Sequence, residues 1–293
     1  LLLPARQAEE MIIQFIHRLS GNKSSLQALK RLWYYAALPA LPKLWNEVQA
    51  QPTYEAKLRK AVQLAISGNR FGFAMFRSNP HPSTEDVLKA VLEDIVWGKE
   101  QEKMFASFYK KVNSSREKHS FGVIEDNVVE DVIGLPFKRL LLQRGHRVIG
   151  IAKSIEATND VCLSDGNWLS HQPDIRNFFE EAGLKVPEVF SSGSKSRGTD
   201  LRTATQQLQR IWSHYLTVVV SLGEGNSGSL RGVNMDILYL VFSKNPAEGK
   251  QRIIEWIPAY SNSFSSPVDP RRSSSPVAAL DKEKSIDAFW GDM

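Results

Sequence analysis

Apolar side chains recur three and four positions apart along residues 8–19, which is the pattern of a helix with one buried face. Further segments of this kind are 24–33, 54–66, 83–95 and 100–112. The segment after Ser83 begins with two acidic residues, which suit the partial positive charge of a helix N-terminus. The pattern predicts a helical N-terminal region over residues 1–115.

Beyond Asn113 the pattern changes to short runs rich in β-branched residues, which are typical of strands. These runs are 147–155, 216–222, 237–243 and 252–260. Helical patterns over 174–182 and 201–215 interrupt them, and residues 244–250 resemble a hairpin connection. Residues 120–260 are therefore predicted to form an α+β domain with a mixed, mostly antiparallel sheet.

The C-terminal region has a third composition. Residues 261–285 contain eight serines and three prolines but few large apolar residues. Such a segment buries too little apolar surface to offset the entropy lost on ordering. We predict that residues 261–293 are a flexible, disordered tail that ends in a short apolar and aromatic cluster.

Composition excludes several kinds of site. The single cysteine, Cys162, rules out a disulfide framework, and we interpret it as a small buried side chain. The six histidines show none of the close spacings of a metal site on one element, so no metal or cofactor is predicted. No apolar run approaches the roughly 18–20 residues of a membrane helix, so no membrane partner is expected.

One glycine-rich stretch, Gly223–Gly228, matches the pattern GxGxxG and follows a predicted strand. A dinucleotide-binding fingerprint needs a helix directly afterwards, whereas another strand is predicted here. We therefore interpret this stretch as a flexible hairpin loop.

The net charge of +5 permits nucleic-acid binding, and one basic stretch gives it a candidate location. That stretch contains five basic residues and no acidic one: Lys138, Arg139, Arg144, Arg147 and Lys153. A run like this can neutralise phosphates, so these residues are predicted to bind DNA or RNA. The alternative is that they form the solvated face of a strand.

Two short segments carry a more specific pattern. Gln172, Ile175, Phe178 and Phe179 fit the spacing Q-x-x-(I/L/M)-x-x-(F/Y)-(F/Y) in full. A second version near the C-terminus keeps the aliphatic residue and two aromatics but has Glu283 at the first position. Its apolar residues are Ile286, Phe289 and Trp290. Both segments resemble the PIP box, the peptide by which replication and repair proteins dock on the sliding clamp.

In such a peptide one helical turn places an aliphatic residue and an aromatic on the same side, where they fill an apolar pocket. The resemblance implies that a sliding clamp is the partner of this chain. The segment at Gln172 also fits the first turns of a core helix ending before Gly183, an interpretation that we favour for that copy. The C-terminal copy has the poorer match but lies at the end of the predicted tail.

These observations lead to a first functional hypothesis: a non-catalytic accessory factor of DNA replication or repair. It would dock on a clamp through its tail, contact nucleic acid, and lie in the nucleus, or in the cytoplasm if the source is prokaryotic. The alternatives are a nuclease whose acids converge only in the fold, with Asp160, Asp165 and Asp236 as candidates, and a structural subunit of a larger assembly.

Overall fold

The computed structural model gives the placement of most of the chain between residues 26 and 257. It describes 26–71, 79, 81–93, 97–114, 117–155, 160–195, 199, 204–223, 226, 229–230, 233, 235–245 and 250–257, the last two mostly as backbone. The helix predicted over 8–19 and the tail from 261 lie outside these residues.

The helical pattern of the N-terminal region is confirmed where the chain is described. Its helices are α1 (Gln27–Ala37), a 3-10 turn (Leu38–Ala40), α2 (Leu41–Gln49), α3 (Tyr54–Gly68), α4 (Thr84–Leu92) and α5 (Lys99–Val112). The Ser83 side chain accepts from Asp86 N, and Asp86 accepts from Ser83 N, so α4 begins with a full capping box.

The second part of the chain forms a six-stranded sheet. Its strands are β1 (Ser120–Ile124), β2 (Arg147–Ala152), β3 (Val189–Ser191), β4 (Val218–Leu222), β5 (Asp236–Asn245) and β6 (Lys250–Ile257). Their order is β3-β2-β1-β4-β5-β6, and every pair from β3 to β5 is parallel. Only the pairing of β5 with β6 is antiparallel, as predicted for that hairpin.

The prediction of an α+β fold with a mostly antiparallel sheet is therefore wrong, and the fold is α/β. Helices connect the first four strands, and a crossover of this kind returns the chain parallel to the previous strand. The connecting helices are α6 (Val128–Ile133), α7 (Leu135–Gln143), α8 (Leu163–Ser170), α9 (Pro173–Glu180) and α10 (Gln206–His214). The sequence pattern gave only α9 and α10, so the crossovers between β1 and β2 were missed.

The sheet is covered on both faces. One face joins the N-terminal helices in a single apolar cluster that contains Trp33, Phe108 and Phe121. The other face packs under α10 through Leu208 and Ile211. The helices predicted as a separate region over 1–115 thus share a core with the sheet. Within the described part of the chain, no helix is long and apolar enough to cross a membrane.

Candidate active site

The strand order reverses between β1 and β4, so a crevice is expected at the carboxyl ends of these two strands. These strands are neighbours, but the chain leaves β1 toward β2 on one side and leaves β4 toward β5 on the other. In open α/β sheets, loops that diverge in this way leave room for a ligand between them. Asp126 and Asn127 follow β1 here, and Gly223 and Asn226 follow β4.

Asp160 joins Asp126 and Asn127 from the segment after β2. Asn127 pairs with Asp160 in an isolated antiparallel bridge, and the N–H of Val161 donates to the carbonyl of Asp126 at 2.6 Å. Lys153, just beyond β2, lies with its Nζ 3.2 Å from Asp160 Oδ2. We call Asp126, Asp160 and Lys153 the Lys153 cluster.

Asn127 fixes the backbone of this site because it also caps α6. Its Oδ1 accepts from the N–H of Glu130 at 3.0 Å, and its Nδ2 donates to Glu130 Oε2 at 3.1 Å. Asn69, at the end of α3, donates to Asp126 Oδ2 at 3.2 Å and to Glu130 Oε2 at 3.5 Å. Burial, followed by the charge of Asp126, raises the pKa of Glu130 well above its ordinary value.

A buried lysine supports the site from the N-terminal helices. Lys30 of α1 donates to the carbonyl of Asp160 at 2.6 Å and to Asp165 Oδ2 at 2.8 Å. Asp165 in turn accepts from the N–H of Cys162 at the start of α8. Cys162 is buried as predicted, and that burial raises the pKa of its thiol.

A second charge cluster includes Glu125, the residue before Asp126. Lys138 Nζ lies 2.7 Å from Glu125 Oε1 and 3.0 Å from Asp131 Oδ1, and all three side chains are buried. We call Glu125, Asp131 and Lys138 the Lys138 cluster. Burial raises the pKa of Glu125 to about 8. Burial also lowers the pKa of Lys138, but the two carboxylates outweigh it and raise that pKa above its ordinary value.

The predicted nucleic-acid stretch does not form a basic surface. Lys138, Arg139 and Lys153 are buried, the first and last in ion pairs. The Arg139 guanidinium lies over the rings of Trp45 and Phe178 at 4.4 and 4.5 Å. Arg144 donates to Asn113, and Arg147 begins β2. Residues 135–143 are a helix packed on the sheet, so the cations face different surroundings, and their binding of DNA or RNA stays a prediction.

The segment at Gln172 is the core helix α9. Ile175, Phe178 and Phe179 are buried in the main apolar cluster, and Gln172 donates through Nε2 to the carbonyl of Trp168 at 3.0 Å. These residues cannot fill a partner's pocket while they fill the core of their own chain, so this copy is not a docking peptide. Ile286, Phe289 and Trp290 lie outside the described residues.

Of the three acids considered for a nuclease, two belong to the site region. Asp160 lies in the Lys153 cluster, and Asp165 supports it through Lys30. Asp236 begins β5 at the opposite end of the sheet, where it pairs with Lys111. Sequence reasoning missed Asp126 and Asn127, although the polar run Glu125-Asp126-Asn127 directly after a buried five-residue run was a usable signal.

The donor set can be tested for a metal ion. Among the described residues, no group of three or more His, Cys, Asp or Glu side chains is placed to hold one. Asp126, Asp160 and the amide of Asn127 nonetheless offer hard oxygen donors on adjoining segments. Mg²⁺ keeps several waters and needs only one or two protein carboxylates beside substrate oxygens, so this smaller set fits such an ion.

The fold and the chain were compared with known proteins. Residues 4–247 match the family model described as the damage-control phosphatase ARMT1-like domain. This chain belongs to that family. A DUF89 family protein from Pyrococcus horikoshii has a similar structure, with a TM-score of 0.59 and 19% identity over 85% of this chain and 80% of that one. At this identity the likeness concerns the fold alone. No curated protein matches the chain.

Membership of the ARMT1-like damage-control phosphatase family corrects the first functional hypothesis. The family is of an enzyme type, so the interpretation as a non-catalytic replication or repair factor is wrong. That hypothesis rested on a basic stretch and a short peptide pattern. Both are sequence patterns, and the fold buries most of the residues that form them in the described part of the chain. Other subunits as partners and a nuclear location stay predictions.

Proposed function

We propose that this chain is a phosphatase that hydrolyses a phosphate monoester of a small molecule in the crevice between β1 and β4. The observation that carries the proposal is the convergence of Asp126, Asn127, Asp160 and Lys153 at the carboxyl ends of parallel strands. Family membership supports the reaction class, and the position supports a bound ligand.

Charge sets a requirement for such a substrate. Asp126 and Asp160 together with Lys153 carry a formal charge of about −1, and a phosphate monoester near neutral pH carries about −1.5 to −2. Like charges a few ångströms apart repel strongly where water is excluded. Additional positive charge must therefore accompany the phosphate.

A divalent cation is the species that these residues suit. Carboxylate oxygens of Asp126 and Asp160 and the amide oxygen of Asn127 would hold it. Bound there, the ion would neutralise developing charge on the phosphoryl oxygens and lower the pKa of a bound water.

The protein's own groups supply position and charge. The Lys153 ammonium is a point charge beside Asp160 and is suited to attract the phosphate. The capping bonds of Asn127 fix the start of α6, and Lys30 fixes the Asp160 backbone. Preorganised groups of this kind need no reorganisation as the reaction proceeds, which is a main source of rate enhancement.

The test is phosphate release by the full chain from p-nitrophenyl phosphate and a panel of sugar phosphates and nucleoside monophosphates. The assay is run with EDTA and with Mg²⁺, Mn²⁺ or Co²⁺. We expect cation-dependent release that Asp126→Asn and Asp160→Asn each reduce by about 100-fold or more, the scale of losing one electrostatic contact in a transition state.

Asp174→Asn is the matched control. Asp174 is exposed on α9, so this substitution removes the same charge at a position away from the crevice. It should leave the rate unchanged. Release that is insensitive to EDTA, or equal in Asp126→Asn and the control, would contradict the proposed site. No release from any substrate with any cation would contradict the function.

A further inference from the structure

The loop after β4 closely approaches the Asp126 carboxylate. Gly223 has a φ of +78°, and a Cβ built on it would lie 2.1 Å from Asp126 Oδ2. Any side chain at this position would overlap that oxygen, so the carboxylate lies against bare backbone. Gly223 therefore marks a close approach and a left-handed turn, and because β4 and β5 are parallel, the interpretation of this stretch as a hairpin loop is wrong.

Asn226 of the same loop is fully buried and contacts several segments of the crevice. Its Nδ2 lies 3.1 Å from the carbonyl of Glu125, 3.0 Å from that of Leu222 and 3.4 Å from Asp126 Oδ1. Its Oδ1 accepts from Thr199 Oγ1 at 3.2 Å and from Lys153 Nζ at 3.5 Å. One amide thus joins the segments that follow β1, β2, β3 and β4.

Each oxygen of Asp126 accepts from an asparagine amide. Asn226 reaches Oδ1 at 3.4 Å, and Asn69 reaches Oδ2 at 3.2 Å. An amide is a neutral donor, so it orients the carboxylate without neutralising its charge. A carboxylate that is to bind a cation needs this combination of fixed direction and retained charge.

We infer that Asn226 is a positioning residue for the reaction, acting through the Asp126 carboxylate and aligning Lys153 with it. This inference rests on the proposed phosphatase function. The two Nδ2 hydrogens serve three acceptors, and the bond to Asp126 is the longest of the three. The two backbone bonds hold the amide in place, and the remaining contact directs it at the carboxylate.

The experiment compares Asn226→Ala and Asn226→Asp in the full chain. Alanine removes every contact, whereas aspartate keeps the shape and the acceptor for Lys153 and Thr199, loses all three Nδ2 bonds, and places a second negative charge beside Asp126. Crystal structures report the Asp126 side-chain orientation, and steady-state kinetics with p-nitrophenyl phosphate report kcat and KM. Asn177→Ala, at an exposed position of α9, is the matched control.

We expect Asp126 to turn away from its present orientation in both variants and kcat to fall by about 10- to 100-fold, the usual effect of removing an outer contact of a ligating group. KM should change by less than about threefold, since substrate contacts remain. If the alanine variant does not fold, the aspartate variant decides. The positioning role is overturned if Asp126 does not move, if kcat does not change, or if neither variant folds.

The two measurements separate the two possible failures. An inactive wild-type chain in which Asp126 still depends on Asn226 overturns the phosphatase function and leaves the positional link intact. An active wild-type chain whose Asp126 ignores the substitutions overturns the positioning role and leaves the phosphatase function intact.

Discussion

Glu125 and Asp126 are neighbours in sequence, yet they belong to two clusters with different properties. Each cluster contains two carboxylates and one lysine. In the Lys138 cluster the ammonium lies within 3.0 Å of both carboxylates, and all three groups are buried. In the Lys153 cluster the ammonium pairs with Asp160, while asparagine amides approach Asp126.

The difference shows how the same residue types serve stability in one place and chemistry in another. Lys138 on α7 pairs with Asp131 on α6 and with Glu125 directly after β1, so the cluster links α6 and α7 to the end of β1. In the Lys153 cluster, Asp126 is half-buried where β1 and β4 diverge, and neutral donors orient it without cancelling its charge, while Lys153 and Asp160 are buried. Consecutive side chains at the end of a strand point to opposite faces, which separates these two roles.

The largest expected effect is on stability and concerns Lys138→Met. This change leaves the buried Asp131 carboxylate and the Glu125 carboxyl group without their ammonium, which typically costs about 3–5 kcal/mol. Urea unfolding followed by circular dichroism measures the loss. A variant as stable as wild type would show that the Lys138 cluster does not hold the fold.

Lys153→Met should have the opposite balance of effects, with a large loss of activity and a smaller loss of stability. We expect phosphatase activity to fall by about 100-fold, because the charge beside the phosphate is lost. The cost in stability should be smaller than that of Lys138→Met, because Lys153 pairs with one carboxylate, Asp160, whereas Lys138 pairs with two. Activity near wild type, or a stability loss equal to that of Lys138→Met, would remove the distinction between the two lysines.

A glycine pair sharpens the description of the Lys153 cluster. Gly223 and Gly183 both have positive φ, at +78° and +69°, so alanine at either position costs about 1–2 kcal/mol in backbone strain. Only Gly223 faces Asp126, because nothing lies within 4 Å of a Cβ at Gly183. Gly223→Ala should therefore lose activity as well as stability, and Gly183→Ala stability alone, in paired kinetic and urea experiments. Equal activities would argue against the close approach.

The smallest expected effect is a pH dependence of stability. It comes from His146, which lies at the opposite end of the sheet from both clusters. Burial lowers the pKa of His146 to about 4, from 6.5 when unfolded. The unfolded chain thus binds more protons between these values, so the contribution of His146 is complete above pH 6.5 and is lost as the pH falls toward 4.

His146→Asn provides the comparison, because its Oδ1 can still accept from the N–H of His119, as Nδ1 of His146 does at 3.1 Å. The stability difference between wild type and this variant should shrink between pH 7 and pH 5 in urea unfolding. A difference that is constant across this range would place the titration elsewhere.

The helices with a clear apolar periodicity, such as α3, α4 and α5, could be predicted because periodicity and caps are local properties, whereas α2, α6, α7 and α8 were missed. Ser83 and Asp86, for example, define the start of α4 by themselves. The parallel sheet could not, since strands buried on both faces lack an alternating pattern and β3 has only three residues. Lys153 and Asp160 were noticed separately, but their proximity depends on strand order, which no local pattern contains.

The bonds of Lys30 across the molecule determine how the protein can be divided into fragments. A shortened chain beginning at residue 117 would retain Asp126, Asp160 and Lys153. It would lack the ammonium that bonds the Asp160 carbonyl and Asp165 from α1. It would also expose the face of the sheet that the N-terminal helices cover. Expression and engineering should therefore treat the helices and the sheet as one inseparable unit.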